Sequence, residues 1–298
     1  MDMRKAALLC ILTQIGTLSG IAQTAKTETE ELGFILRTSL ASAPFPHPRR
    51  ASGHSYGSKT FPFDLHYRDS SVAVFIPKDY KRTGAVDLVI HFHGWYNNID
   101  SVLAQFELIP QFIASGKNAI LVIPQGPKNA PDSFGGKLED KDGFKTFVSE
   151  LLDTLSSRSL IDSKTPGNII LSGHSGAYHV MSFILMCGGL NDHIKEVYLF
   201  DALYGQTEKF AYWLDHVAGR FVNIYTDSGG TKSESENLMA DLRGWNIPFF
   251  AGEEELVAPD ELRTQRVIFL HTLLDHNGVL KKHETFRSFL SSSMLSDR

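Results

Sequence analysis

The fold is decided by residues 168–177, which read Asn-Ile-Ile-Leu-Ser-Gly-His-Ser-Gly-Ala. The apolar first half predicts a buried strand, and the apolar residues that follow the stretch predict a helix. Between them lies the pattern Gly-x-Ser-x-Ala, centred on Ser175. Small residues two places before and after a serine permit a sharp strand-to-helix turn, which lifts the hydroxyl above the sheet at a helix N-terminus. This context favours a nucleophilic Ser175 over the alternative, a serine that only caps the helix.

Short apolar segments recur on both sides of this stretch and predict eight strands in all. They lie at residues 61–67, 71–76, 86–92, 118–123, 168–171, 196–200, 221–225 and 267–270. The first two flank Arg68-Asp69-Ser70, which is typical of a hairpin turn. Segments with helical periodicity separate the later strands, at residues 101–114, 143–155, 176–186, 207–217, 233–242 and 279–290. This alternation predicts the α/β class, with an eight-stranded, mostly parallel sheet flanked by helices and a ligand site at the carboxyl ends of the strands.

The composition is that of an ordinary globular protein and excludes several other classes. Of 298 residues, 42% are hydrophobic and 21% are charged, and 24 glycines and 12 prolines are too few for a collagen-like or low-complexity chain. The formal net charge of −5 lacks the basic surplus of a nucleic-acid-binding protein. We therefore expect no nucleic-acid partner.

The N-terminus has the pattern of a secretory signal peptide. Arg4 and Lys5 precede an apolar stretch at residues 6–22, which is too short and too polar for a membrane span and has small residues near its end. We expect cleavage near Ala22, a secreted or periplasmic protein, and no integral membrane segment in the mature chain. The alternative is an amphipathic N-terminal helix.

The sequence thus divides into three regions. Residues 1–22 are the predicted signal peptide, and residues 23–58, which are polar and contain a Pro- and Arg-rich stretch, are a predicted linker or arm. Residues 59–298 are the predicted catalytic domain. The mature chain would keep one cysteine, Cys187, and could form no internal disulfide.

A second motif completes a resemblance to the α/β-hydrolase family. Residues 87–95 read Asp-Leu-Val-Ile-His-Phe-His-Gly-Trp, a strand that ends in His-Gly, and the pattern at Ser175 is a small variant of the family's nucleophile motif. The chain resembles this family over residues 60–295. The resemblance implies a serine hydrolase that needs no cofactor, with an oxyanion hole formed by the backbone N–H groups of Trp95 and Gly176.

Two acids and two histidines compete to complete a catalytic triad. The family order is serine, then an acid after the sixth or seventh strand, then a histidine after the last strand. Asp227 stands at the commoner position of the acid, but we prefer Asp201, because an apolar strand and a tight turn would bury and fix it. For the base we prefer His276, on the loop before the closing helix, to His271, at the end of the last strand.

His91 and His93 support a rival interpretation, a metal site. The two side chains alternate onto one face of a strand, as metal ligands can. No third ligand of matching spacing accompanies them, so we expect no metal. A structural, hydrogen-bonded role is the alternative for His91.

The substrate is the least determined feature. Little sequence separates the last three strands, so we expect no large cap domain and an open site next to the loop at residues 125–141. The predicted substrate-binding residues are His93, Gly94, Tyr96, His174 and Tyr204. The leading hypothesis is a secreted serine hydrolase that cleaves a carboxylic ester, small or polymer-borne, through an acyl-enzyme on Ser175. The alternatives are a serine peptidase or amidase acting on a peptide or cell-wall substrate, and a non-catalytic binding protein on a hydrolase scaffold.

Overall fold

The computed structural model describes residues 31–298, so the predicted signal peptide at residues 1–22 lies outside the described chain. The strands are β1 (Gly33–Ser39), β2 (His54–Tyr56), β3 (Lys59–Phe61), β4 (Ser71–Pro77), β5 (Val86–Phe92), β6 (Ile120–Pro124), β7 (Pro166–His174), β8 (Ile194–Phe200), β9 (Arg220–Thr226), β10 (Phe250–Glu253) and β11 (Val267–Thr272). The α-helices are α1 (Phe63–His66), α2 (Ile99–Gln105), α3 (Leu108–Ala114), α4 (Gly143–Ser157), α5 (Tyr178–Cys187), α6 (Thr207–His216), α7 (Thr231–Gly244), α8 (Pro259–Thr264), α9 (Gly278–Lys281) and α10 (Thr285–Ser291).

In the described part of the chain, nine strands form one sheet in the order β1-β4-β6-β5-β7-β8-β9-β11-β10. The pairs β1–β4 and β4–β6 are antiparallel. All the remaining neighbours in this order, from β6–β5 to β11–β10, are parallel. The predicted α/β class with a mostly parallel sheet is therefore confirmed, with nine strands instead of eight. Strands β2 and β3 form a separate hairpin.

The register of the parallel strands sets the position of the site. Phe92 in β5 lies opposite Gly173 in β7, and His174 lies opposite Phe200 in β8. Ser175 and Asp201, which follow β7 and β8, therefore leave neighbouring strands at the same edge of the sheet. No inserted domain covers this edge in residues 31–298, as predicted from the short connections.

Helices cover both faces of the sheet. In β7, Ile169 and Leu171 pack into one buried cluster and Ile170 into the opposite one, because successive side chains of a strand point to opposite faces. This two-sided burial explains why the parallel strands appear in the sequence as continuous apolar runs. Helix α4 contributes an apolar stripe with i, i+3, i+4 spacing to the first cluster, at Phe144, Phe147, Val148, Leu151, Leu152 and Leu155. Within the described residues, no helix is both long and apolar enough to cross a bilayer.

The predicted hairpin of residues 61–67 with 71–76 is wrong. Phe61 ends β3, and Pro62 is the N-cap of the short helix α1, in which Leu65 is exposed. The alternation of apolar residues from 61 to 67 resembled a strand, but the proline provides a helix start instead. The antiparallel partners of β4 are β6 and β1, and β1 lies inside the predicted linker or arm at residues 23–58. Strand β10, four residues long, was also not predicted.

Candidate active site

Ser175 occupies the sharp turn between β7 and helix α5. Its φ of 57° lies in the left-handed region, which is strained for a residue with a side chain. Gly173 leaves the room that this turn requires, because a Cβ there would lie 2.4 Å from the Met181 sulfur and 2.7 Å from the Ala177 Cβ. The backbone therefore stores strain at Ser175 and places this half-buried residue at the carboxyl edge of the sheet.

His276 and Asp201 form a partly buried hydrogen bond close to this turn. His276 Nδ1 lies 2.6 Å from Asp201 Oδ2, and Asp201 is completely buried. The carboxylate also accepts hydrogen bonds from the backbone N–H and the hydroxyl of Thr226, both at 3.1 Å, and from the Thr231 hydroxyl. Burial alone would raise the pKa of Asp201, but the hydrogen bonds from His276 and Thr231 outweigh it and hold this pKa below its ordinary value.

The loop that carries His276 is held by the side chain of His174. His174 Nε2 donates to the backbone carbonyl of His276 at 2.8 Å, and the two ring centroids lie 4.5 Å apart. In residues 31–298, the hydrogen bonds of the His276 ring go from Nδ1 to Asp201 and, at 3.5 Å, to the Tyr204 hydroxyl. Within the same residues its Nε2 has no hydrogen-bond partner, which leaves this nitrogen able to accept one.

Asp227 and His271 also meet, but away from this pair. His271 Nε2 lies 3.1 Å from Asp227 Oδ1, and its Nδ1 lies 2.8 Å from Glu253 Oε2. Asp227 is half exposed and also accepts from Lys232 at 2.7 Å. The geometry thus pairs His276 with Asp201, the preferred acid, and not with Asp227.

The two predicted oxyanion amides lie next to Ser175. A Cβ on Gly94 would stand 2.5 Å from the Ser175 Cβ and 3.0 Å from its Oγ, so the chain before Trp95 touches the serine. The Trp95 indole packs on Gly176, where a Cβ would lie 2.6 Å from Trp95 Cδ1. Within residues 31–298 the backbone N–H of Trp95 has no acceptor. This amide is therefore available to an oxygen bound beside the serine.

His93, which was predicted to bind substrate, instead makes hydrogen bonds within the protein. It is buried, and its Nε2 accepts from the Gly126 N–H at 3.0 Å and from Gln125 Nε2 at 2.8 Å. The proton must then be on Nδ1, which donates to the Gly94 carbonyl at 2.9 Å. Burial lowers the pKa of His93, and the ring is neutral. Its role in this geometry is to hold Gly94 against Ser175.

His91 points into the protein core. Its Nδ1 lies 2.9 Å from the Ser172 hydroxyl, and burial lowers its pKa to about 3. The described residues contain no group of three or more His, Cys, Asp or Glu side chains that could hold a metal ion. The geometry thus gives His91 and His93 hydrogen-bonding roles and offers no ligand set that includes them.

The other predicted substrate-binding residues differ in exposure. Tyr96 is exposed, and its backbone has a φ of 55°, while Tyr204 is half-buried beside His276. Burial, followed by the charge of Asp201, raises the pKa of Tyr204 to about 12. His174 is buried and contacts the His276 loop, which leaves no surface for substrate; burial, followed by the nearby His276, lowers its pKa to about 4.

Three polar residues at the site were missed by the sequence reasoning. Thr226 and Thr231 donate to Asp201, and Ser133 accepts from Trp95 Nε1 at 2.7 Å. Thr231 starts a helix, where a threonine has the pattern of an ordinary cap. For Ser133, the available signal was Trp95 itself. The indole N–H of a tryptophan usually has a hydrogen-bond acceptor, so an acceptor near Trp95 could have been expected.

Solved structures of esterases share this fold. A ferulic acid esterase is 11% identical, with a TM-score of 0.54 over 87% of this chain and 98% of that chain. The feruloyl esterase module of Clostridium thermocellum, complexed with sinapinate, is 10% identical, with a TM-score of 0.54 over 88% of each chain. The fluorophosphonate-binding serine hydrolase F of Staphylococcus aureus is 10% identical, with a TM-score of 0.51 over 86% of this chain and 99% of that chain.

No protein-family model and no curated protein matches the sequence. The structural likeness defines the class: the chain has the α/β-hydrolase fold, as the resemblance implied.

Proposed function

We propose that this protein is a serine hydrolase that cleaves carboxylic esters through an acyl-enzyme on Ser175. The observation that carries the proposal is the His276–Asp201 hydrogen bond of 2.6 Å, made by a fully buried carboxylate, next to a serine held at a φ of 57°. A buried, ionised carboxylate that fixes a histidine tautomer beside a strained serine is the arrangement that nucleophilic acyl transfer needs.

Each residue of the site has a role in the proposed reaction. Ser175 Oγ attacks the acyl carbonyl, and His276 Nε2 takes the serine proton. Asp201 holds the imidazole with its proton on Nδ1 and stabilises the imidazolium that forms. The carbonyl oxygen becomes an oxyanion, which the amides of Trp95 and Gly176 stabilise.

The remaining steps complete the cycle. His276 returns the proton to the leaving alcohol oxygen as the tetrahedral intermediate collapses to the acyl-enzyme. Water, deprotonated by the same histidine, then attacks the acyl carbon and releases the acid and free Ser175.

The names of the similar structures support an ester as the scissile group. Three of them are called esterases or serine hydrolases, although identities of 10–11% carry no substrate to this chain. The open carboxyl edge fits either a small substrate or an ester on a polymer. The predicted signal peptide at residues 1–22 adds secretion or export to the periplasm, which N-terminal sequencing of the exported protein would test.

The activity is tested with a panel of aryl and alkyl esters and a matched panel of amides. We expect turnover of esters by the wild type and none by Ser175→Ala, while Ser228→Ala, an exposed serine at the same edge, keeps full activity. Turnover of amides at a comparable kcat/KM would favour the peptidase or amidase alternative. Absence of turnover on both panels by folded protein would favour the binding-protein alternative.

A further inference from the structure

The Trp95 side chain is held by one polar contact, made by a residue from another loop. Its Nε1 donates to the Ser133 hydroxyl at 2.7 Å, although the tryptophan itself is about one-third exposed. Ser133 lies 38 residues further along the chain, in the loop that follows β6. The contact therefore joins the two loops that border the serine.

This pair occupies the place where residue 176 would carry a side chain. A Cβ on Gly176 would lie 2.6 Å from Trp95 Cδ1, 2.8 Å from Trp95 Nε1 and 2.7 Å from Ser133 Oγ. The hydrogen-bonded pair thus packs directly on the residue that supplies one oxyanion amide. The other amide belongs to Trp95 itself.

Ser133 stands on a loop that is firmly anchored. Asp132 is buried, accepts from the Phe134 N–H at 3.0 Å, and binds Arg50 through both oxygens at 2.6 and 2.9 Å. A bidentate, partly buried pair of this kind fixes geometry well. Ser133 is consequently a fixed point against which the indole can be oriented.

The backbone after Trp95 is anchored as well. The Tyr96 N–H donates to the Ala130 carbonyl at 3.0 Å, and Tyr96 has a φ of 55°. The peptide groups on both sides of Trp95 are therefore held, on one side by Gly94 against Ser175 and on the other by Tyr96. The indole, which packs on Gly176, connects this anchored segment to the residue that carries the second predicted amide.

We propose that Ser133 is a positioning residue of the oxyanion hole: by accepting the indole N–H, it holds Trp95 against Gly176 and fixes the position of the two amides relative to each other. The inference rests on the proposed function, because it assigns Ser133 to the stabilisation of the same oxyanion. Loss of a whole oxyanion donor costs about 10²–10³ in kcat. Loss of its orientation, with the donor retained, should cost less, about tenfold.

A double-mutant cycle tests the proposal on the ester substrate with the best turnover. Ser133→Ala removes the acceptor, and Trp95→Phe removes the donor but keeps an aromatic ring. We expect each to lower kcat about tenfold with KM within about twofold, and the double variant to be no slower than the slower single one. Ser163→Ala removes a hydroxyl that donates to the Gly84 carbonyl at the opposite edge of the sheet and is the matched control.

Labelling of Ser175 by a fluorophosphonate supplies a second readout, because the phosphonyl oxygen uses the same amides. We expect the labelling rate to fall in parallel with kcat, and thermal midpoints to show that the variants fold. If Ser133→Ala does not fold, the comparison of Trp95→Phe with the wild type tests the same bond from its other partner.

Three results would overturn the inference: unchanged kcat in both single variants, losses that multiply in the double variant, or a rise in KM at constant kcat. The last would make Ser133 a substrate-binding residue. A wild type that neither turns over esters nor labels would overturn the proposed function instead, so the two failures are distinguishable.

Discussion

Two aspartate–histidine pairs lie at the carboxyl edge of the sheet, and their surroundings differ. Asp201 is fully buried and meets His276 at 2.6 Å, whereas Asp227 is half exposed and meets His271 at 3.1 Å. Asp201 has further donors in two threonine hydroxyls and a backbone amide. Asp227 instead forms a salt bridge with the exposed Lys232.

The histidines differ in the use of their second nitrogen. Both nitrogens of His271 face carboxylates, those of Asp227 and Glu253, so neither is left for a substrate or a serine. His276 uses Nδ1 for Asp201 and keeps Nε2. Pairing alone therefore does not single out the proposed dyad; it differs from the other pair in its buried acid and in a histidine nitrogen that has no partner within residues 31–298.

The largest expected difference between the pairs concerns the histidines. His276→Ala should lower kcat by roughly 10⁵–10⁶, because removal of the general base disables the serine. His271→Ala should stay within about threefold of the wild type. Initial rates on the best ester, with circular dichroism to confirm folding, measure both; equal losses in the two variants would contradict the assignment.

The acids should show the next largest difference. Asp201→Asn keeps the shape of the side chain but presents the wrong hydrogen-bonding partner to Nδ1, and kcat should fall about 10⁴-fold. Asp227→Asn should leave kcat unchanged within a few-fold. A large loss in Asp227→Asn together with an active Asp201→Asn would transfer the role to the exposed pair.

The donors to the two acids should differ in their effect on stability. Thr231→Val leaves a buried carboxylate with one donor fewer and should lower the free energy of unfolding by about 2 kcal/mol. Lys232→Met removes an exposed partner of Asp227 and should leave this free energy unchanged. Urea denaturation monitored by tryptophan fluorescence measures both free energies. Equal changes in the two variants would show that the burial of Asp201 does not make its hydrogen bonds more important for stability than those of Asp227.

Two buried histidines, His91 in β5 and His174 in β7, should make the protein sensitive to acid. Burial lowers the pKa of His91 to about 3 and that of His174 to about 4, below the ordinary value of 6.5. Below pH 6.5 the unfolded chain therefore binds protons that the folded chain does not, and stability falls as the pH decreases towards these values. Each histidine contributes a slope of about 1.4 kcal/mol per pH unit.

His91→Gln isolates one of these contributions. The free energy of unfolding, measured between pH 7 and pH 5, should fall less steeply in this variant than in the wild type. Identical slopes in the two proteins would show that His91 does not remain neutral in the folded state.

The sequence was sufficient for the elements whose signal is local. The continuous apolar runs of β5 to β9 and the helical spacing in α4 gave the parallel sheet and its helices, since both faces of the sheet are covered. The edge strands were harder to predict. Strand β1 is only partly buried, and β10 has only four residues. The apolar alternation at residues 61–67 predicted a strand, but Pro62 precedes a short helix there.

For the site, the sequence predicted the residue types and favoured Asp201 and His276, but it did not reveal the contacts that separate them from Asp227 and His271. Asp201 and Asp227 both follow apolar strands, and the donors that separate them, above all Thr231, come from an element further along the chain. The hydrogen bonds of His93 and Ser133 could not be predicted for the same reason, because their partners lie on loops that meet only in the folded protein. Contacts of this kind have no fixed spacing in the sequence.

The central claim is that Ser175 is an activated nucleophile, and fluorophosphonate labelling read by intact mass tests it most directly. The account predicts one adduct on the wild type and on Asp227→Asn, strongly slowed labelling of Asp201→Asn, and none on Ser175→Ala. Folded wild-type protein that forms no adduct, or an adduct that persists in Ser175→Ala, would contradict it.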